Sequence, residues 1–150
     1  MPVAEADVAA PPKPGLLIGA EKLTDARLAH DHRYPATGRV THTVPLAGAA
    51  EVDAAVKAAR AALPGWRGMP VNERRQLMLR FAALVRANND ALLRLVTAEN
   101  GSAHTQVQRL PTVVAELFEY NAGWADKIGG EVVTTWPVPA FDYTLEEPYG

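Results

Sequence analysis

The hydrophobic period changes twice along the chain, and this limits the fold more than any single motif does. From Gly15 to Val44 the apolar residues come in short runs or loose alternation: "LLIG" (Leu16 to Gly19), "RLAHDHRY" and "RVTHTV". Between the last two lies "PATG" (Pro35 to Gly38), where a fixed-φ proline precedes a permissive glycine, a turn signal. A small β-meander or hairpin is expected there. From Glu51 the period becomes helical. Val52, Val56, Ala59 and Leu63 recur on one face, and Pro64-Gly65 is expected to stop the run. In "NERRQLMLRFAALVRANN" the residues Leu77, Phe81, Leu84 and Val85 share a face, with Arg74, Arg75 and Arg86 on the polar side. "DALLRLVTAEN" reads as a short third helix closed by Gly101, a C′ glycine. The fourth carries a stripe of Val107, Leu110, Val114, Leu117, Asn121 and Trp124, with Pro111 bending it or marking its first turn.

After Gly129-Gly130 the period returns to two. "EVVTTW" and "FDYTLEE" are joined by the proline turn "PVPA", and Phe141, Tyr143 and Leu145 alternate with Asp142, Thr144 and Glu146. The fold class is therefore α+β: an N-terminal β-meander, four amphipathic helices and a C-terminal β-hairpin. Four packed helices can fold alone. Two strands without a third are marginal in water, and their edges stay open to pairing. The hairpin (residues 131–147) is expected to need a partner.

Composition removes several function classes. A net charge of −2 gives no basic field for nucleic acid or an anionic membrane. With no cysteine, the chain has no disulfide, thiolate-bound zinc or cysteine nucleophile. No segment reaches the roughly 18 apolar residues of a membrane helix. The opening "MPVAEADVAAPPKPG" lacks a cationic head and an apolar run, so it does not read as a secretory signal. Residues 1–14, rich in Ala and Pro, read as a disordered tail, and a cytoplasmic protein is the default.

The familiar sites are missing. There is no G-x-G-x-x-G or Walker loop to cradle phosphates. Ser102 is the only serine; His104 lies two residues on, and neighbours at a helix start point apart, so Ser102 is expected to cap the fourth helix. His30 and His32 share one strand face, and His42 lies on the strand after the turn. No acidic or cysteine cluster in the sequence completes a tetrahedral set around them, so surface histidines without metal are expected. The arginines of the second helix, interleaved with Glu73, read as a solvated face. Tyr120 and Trp124 read as core beside the small residues Ala122, Gly123 and Ala125.

The order of the local motifs carries a resemblance. "YPATGRV" (Tyr34 to Val40), "EVDAAVKAARAALPGW" ending at Trp66, "NERRQLMLRFAALVRANNDALLRLVTAENG", "YNAGWADKIGG" (Tyr120 to Gly130) and "EEPYG" follow one another as in the N-terminal portion of the aldehyde dehydrogenase superfamily. The similarity covers about residues 16–150. Tyr34 departs from the usual asparagine, and Ser102 stands where the family commonly has lysine.

The resemblance implies an α/β family member and a domain plan. Residues 15–128 would belong to the cofactor-binding domain, 129–147 to an oligomerisation hairpin, and 148–150 to the start of the nucleotide-binding core. It implies a homo-oligomer joined through Phe141, Tyr143 and Leu145, and a substrate tunnel lined by Leu110, Val113 and Leu117, although these three can equally be plain core. The family's backbone cation contacts would fall near His32 and Glu99. The implied activity is NAD- or NADP-dependent oxidation of an aldehyde to a carboxylic acid through a cysteine thioester. The family's nucleophile, base, oxyanion donor and cofactor site match no position here, so the chain alone is expected to be inactive and to bind no cofactor. On this reading Gly150 is a cut. The alternative is a non-catalytic product or small interaction module that associates through its hairpin.

Overall fold

The computed structural model describes residues 13–149. Nearly all of the tail proposed for residues 1–14, and Gly150, lie outside the described residues. The N-terminal β region is two antiparallel hairpins in succession. In the first, β1 (Leu16–Ile18) pairs with β2 (Glu21–Leu23), Leu16 opposite Leu23. In the second, β3 (Leu28–Arg33) pairs with β4 (Val40–Leu46), from Leu28 opposite Leu46 to His32 opposite His42. A register shift follows between His32 and Arg33. The "YPATGR" turn closes this hairpin: Tyr34 N–H donates to Arg39 O (2.9 Å) and Gly38 N–H to Tyr34 O (2.8 Å).

Helix α1 (Ala49–Gly68) begins with the Gly48 N–H donating to Glu51 Oε2 at 2.8 Å, which satisfies one orphan donor. It does not stop at Pro64-Gly65 but continues to Gly68. Proline removes one helical donor, but the last carbonyls find another partner. Arg74 Nη2 donates to Trp66 O (3.1 Å), Arg67 O (3.4 Å) and Met69 O (3.3 Å), and its guanidinium lies 5.4 Å from the centroid of the Trp66 ring. Arg74 is thus no part of a solvated face. It ties the end of α1 to the start of α2 (Val71–Ala87).

The core lies where α2 meets α5 (Leu110–Ala122), with α3 (Asn89–Asn100) alongside. Ala82, Val85 and Ala115 form its centre, with Leu92, Val114 and Phe118 packed against it. Alanines on both helices let the backbones approach, and the Phe81 and Phe118 rings meet at 4.3 Å beside the contact. The inward stripes are therefore rotated from those expected. On α5 the buried residues are Pro111, Ala115 and Ala122; Leu110 and Leu117 face outward. On α2 they are Ala82 and Val85, while Leu77, Phe81 and Leu84 are exposed. Tyr120 and Trp124, expected in the core, are also exposed, and their rings lie 6.4 Å apart.

The fourth helical stretch divides in two. A single turn, α4 (His104–Val107), precedes α5, and Pro111 sits in the first turn of α5, where its missing N–H costs nothing. The residue at the α4 N-cap is Ala103, with no side-chain cap, so Ser102 does not take that role.

Gly101 ends α3 at φ +65°, with its N–H on Thr97 O at 3.0 Å. A Cβ at this position would also lie 3.2 Å from Pro35 Cβ, in the β3–β4 turn. Left-handed backbone costs a non-glycine residue about 1–2 kcal/mol. Gly101→Ala is accordingly expected to lower stability by about 1–2 kcal/mol, read as a fall in the urea midpoint at unchanged slope. An unchanged midpoint refutes this.

The C-terminal hairpin forms, but its ladder is short: β5 (Val132–Val133) pairs with β6 (Asp142–Tyr143). Thr144 extends it, its N–H donating to Glu131 O (2.9 Å) and its hydroxyl accepting from Glu131 N–H (2.8 Å). The strands cross so closely that a Cβ on Gly130 would lie 1.6 Å from Thr144 O. Thr135 Oγ1 holds the far turn, accepting from Ala140 N–H at 2.8 Å. Arg67 pairs with Glu147, linking the segment after β6 to α1.

Candidate functional site

The polar side chains that the fold gathers most closely come from β3, β4 and α3. The β3–β4 register sets His32 directly across from His42, and their imidazoles stack with centroids 4.7 Å apart and planes 18° from parallel. Glu99, two residues before the Gly101 stop, reaches both rings. His32 Nε2 lies 3.4 Å from Glu99 Oε2 and 3.0 Å from Glu99 backbone O; His42 Nε2 lies 3.5 Å from Glu99 Oε1. On the opposite side of the rings, Thr41 Oγ1 is 2.7 Å from His32 Nδ1 and 3.1 Å from His42 Nδ1. The same hydroxyl can donate to His32 O, at 3.4 Å.

The three side chains are half-buried, His32 at 19%, His42 at 16% and Glu99 at 38% exposure. Their ligand atoms all lie within 4.8 Å of one another. The acidic group that the sequence did not supply near the histidines comes from a helix 67 residues beyond His32. Only part of this follows from the turn. A hairpin closed at residues 35–38 brings position 32 opposite 41 by plain counting, and the register shift between His32 and Arg33 moves the partner to His42. The docking of α3 onto that hairpin carries no short-range signature.

The other singled-out residues are not gathered in this way. Leu110, Val113 and Leu117 lie along one outward side of α5, opposite the side that packs on α2. Phe141, Tyr143 and Leu145 follow one face of the hairpin, with Phe141 80% and Leu145 71% exposed and the Phe141 and Tyr143 rings 5.6 Å apart. Together with Gly130, Val132 and Thr144 they line a shallow open groove. His30 pairs with Val44 and stays outside the histidine cluster, and no hydrogen bond joins Ser102 to His104 among the described residues. Arg86, expected on the polar side of α2, bridges to Glu119 of α5 with two bonds of 3.0 and 2.8 Å. That side-chain hydrogen bond holds the Glu119 carboxyl below its usual range. Both groups are exposed, so the pair fixes orientation more than it stabilises. No helix among the described residues is long and apolar enough to cross a membrane.

Comparisons with known proteins agree with one another. The model of the aldehyde dehydrogenase family matches residues 24–150. The 4-trimethylaminobutyraldehyde dehydrogenase B of Danio rerio is 39% identical over 117 residues, which are 77% of this chain and 22% of that protein. The solved succinate-semialdehyde dehydrogenase from Burkholderia pseudomallei superposes with a TM-score of 0.75 at 31% identity, over 83% of this chain and 26% of that one. PnpE, solved in complex with nicotinamide adenine dinucleotide, gives 0.75 at 32% identity, over 85% and 26%. The chain thus spans about a quarter of the length of the relatives it matches.

Proposed function

Because the chain belongs to the aldehyde dehydrogenase family, we propose that it serves as the N-terminal segment of an NAD(P)-dependent enzyme that oxidises an aldehyde to a carboxylic acid. In this role residues 15–128 form the outer part of the cofactor-binding domain, residues 129–147 form an oligomerisation hairpin, and residues 148–150 lead into the nucleotide-binding core. The observation that carries the reading is the family match over residues 24–150, in which the β3–β4 hairpin, the helices and the terminal hairpin follow one another without a break. Large apolar side chains left open on α1, α2 and α5, among them Val52, Val56, Leu84 and Leu117, support it. Such surface is what a covering layer of the same fold would bury. On this reading Leu110, Val113 and Leu117 are available to line the aldehyde's approach.

The residues present do not themselves fit the nicotinamide cofactor. The sequence has no glycine-rich loop leading into a helix, and it has no cysteine to form a thioester. What these residues contribute is scaffold: a helical flank, a hairpin arm and a wall for the substrate. The 150-residue chain assayed alone with NAD, NADP and a panel of aldehydes is expected to give no aldehyde-dependent cofactor reduction. Turnover that requires both aldehyde and cofactor would overturn that expectation.

A second reading is favoured by the exposed apolar face of the hairpin. The chain would then act as a non-catalytic module that associates through Phe141, Tyr143 and Leu145. The two readings share the hairpin and differ in whether the helices acquire a catalytic partner layer.

A further inference from the structure

We propose that Asn100 is a site of spontaneous deamidation, in which the Gly101 backbone nitrogen attacks the Asn100 side-chain amide and closes a succinimide ring. Asparagine is among the thermolabile residues. Its lability is set by how freely the next backbone nitrogen reaches the side-chain Cγ. A following residue with a Cβ crowds that approach, and glycine does not. Of the five asparagines, Asn72, Asn88, Asn89, Asn100 and Asn121, only Asn100 precedes a glycine.

The hydrogen bonding of the other amides is a second and independent ground. Asn88 Nδ2 donates to Leu84 O (2.8 Å), Asn89 Nδ2 to Asp90 Oδ1 (3.1 Å) and Asn121 Nδ2 to Leu117 O (2.8 Å). Asn72 lies in the first turn of α2, ahead of the larger Glu73. Asn100 is exposed at the last position of α3, and among the described residues no hydrogen bond holds its side chain. A held amide must first give up its bond, which lowers the reactive population about 2–10-fold. Asn100 has no such bond to give up.

The nucleophile is gated by the fold. Gly101 N–H donates to Thr97 O at 3.0 Å, closing the last turn of α3, and ring closure needs that nitrogen released. Helix ends fray at the low end of the range of opening free energies, so the bond slows the reaction without forbidding it. Water is the only co-reactant. The Gly101 N–Cγ bond forms as ammonia leaves Cγ, and the Gly101 amide proton goes to solvent base. Water then opens the ring at either carbonyl, and nothing is oxidised or reduced. One opening leaves aspartate; the other leaves isoaspartate, whose main chain runs through the former side chain and is longer by one carbon.

The two products differ in effect. Aspartate adds negative charge where the last carbonyls of α3 already present the negative end of the helix dipole. Isoaspartate also shifts Gly101 along the chain, out of reach of Thr97 O. Gly101 rests against the β3–β4 turn, since a Cβ there would lie 3.2 Å from Pro35 Cβ. Isoaspartate at position 100 therefore loosens α3 from that turn.

The test is storage of the 150-residue chain at neutral pH and body temperature, folded and in urea, followed by tryptic digestion and mass spectrometry. The peptide 95–109 carries Asn100 as its only asparagine. In the folded chain it should gain the mass of an amide-to-acid exchange about tenfold faster than the peptides holding Asn88, Asn89 and Asn121. Isoaspartate should be among its products, and urea should speed the gain by freeing Gly101 N–H from Thr97 O. Asn100→Gln, with a longer side chain that closes a ring far more slowly, should remove the gain. Hydrogen exchange at the Gly101 amide should be about tenfold faster in the isoaspartate fraction than in the parent, and close to the parent in Asn100→Asp. The proposal is overturned if Asn100 survives storage unchanged, or if another asparagine of the folded chain is modified first. Aspartate without isoaspartate, the product of direct hydrolysis, overturns the ring closure, and equal exchange in the isoaspartate fraction and the parent overturns the loosening.

Discussion

Replacing Ala115 by aspartate is expected to abolish the cooperative unfolding transition of this chain, leaving it without a fixed helical core at ambient temperature. Ala115 has no exposed surface and sits where α5 meets Ala82 and Val85 of α2. An unpaired carboxylate placed there loses its hydration, and no cationic side chain belongs to that cluster. The effective cost of burying an ion is several kcal/mol even after relaxation. A small domain has about 5–15 kcal/mol of stability in total, and the hydrophobic core of the described residues amounts to Ala82, Val85, Leu93, Ala115 and Ala122. One buried charge therefore consumes most of what is available. Leu117→Asp makes the contrast: Leu117 is 55% exposed on the outward side of the same helix, so its change should stay within about 0.5 kcal/mol. Far-UV circular dichroism through a urea titration reads both. If the two variants unfold alike, the orientation assigned to α5 is wrong.

That contrast also shows how much of the fold was legible in the sequence. Period and punctuation located the elements: the turn at Pro35–Gly38, the stop of α3 at Gly101 and the two hairpin strands after Gly130 all appear. Which side of each helix faces inward was not legible. Reading Leu77, Phe81, Leu84 and Leu117 as the buried stripes assumes that the largest apolar residues pack first. Here the residues with no exposed surface at the α2–α5 contact are alanines, because small residues permit backbone approach, and Leu77, Leu84 and Leu117 remain outward. Pro64 failed as a helix stop for a related reason. The carbonyls at the end of α1 are taken by Arg74, which arrives from the next helix and leaves no mark near Pro64. The histidine–glutamate cluster depends on the same kind of long-range docking. His32 and His42 meet through strand register, which the turn sets to within one residue and the irregularity between His32 and Arg33 completes. Glu99 joins them only when α3 lies against the hairpin, and nothing local fixes that.

On the proposed reading, the unmodified chain should associate with itself through the C-terminal hairpin. In sedimentation it should show a mass rising with concentration above the 16.1 kDa of one chain. The physical ground is an incomplete sheet. A two-stranded ladder is marginal in water, and an edge strand offers unpaired amide and carbonyl groups to any strand that can extend it. The apolar face of Phe141, Tyr143 and Leu145, continued by exposed Val132, Trp136 and Val138, adds a hydrophobic gain to that pairing. Charge on such a face works against both contributions, because joining two copies would bring like charges together and bury them. The double variant Phe141→Lys, Leu145→Lys is accordingly expected to sediment as a monomer at concentrations where the parent chain associates. It should keep its helical signal, since neither residue touches the α2–α5 core. A parent chain that stays monomeric at high concentration contradicts the association. A double variant that associates as strongly as the parent moves the contact to the open apolar faces of α1 and α5, and the hairpin then loses its role as the joining arm.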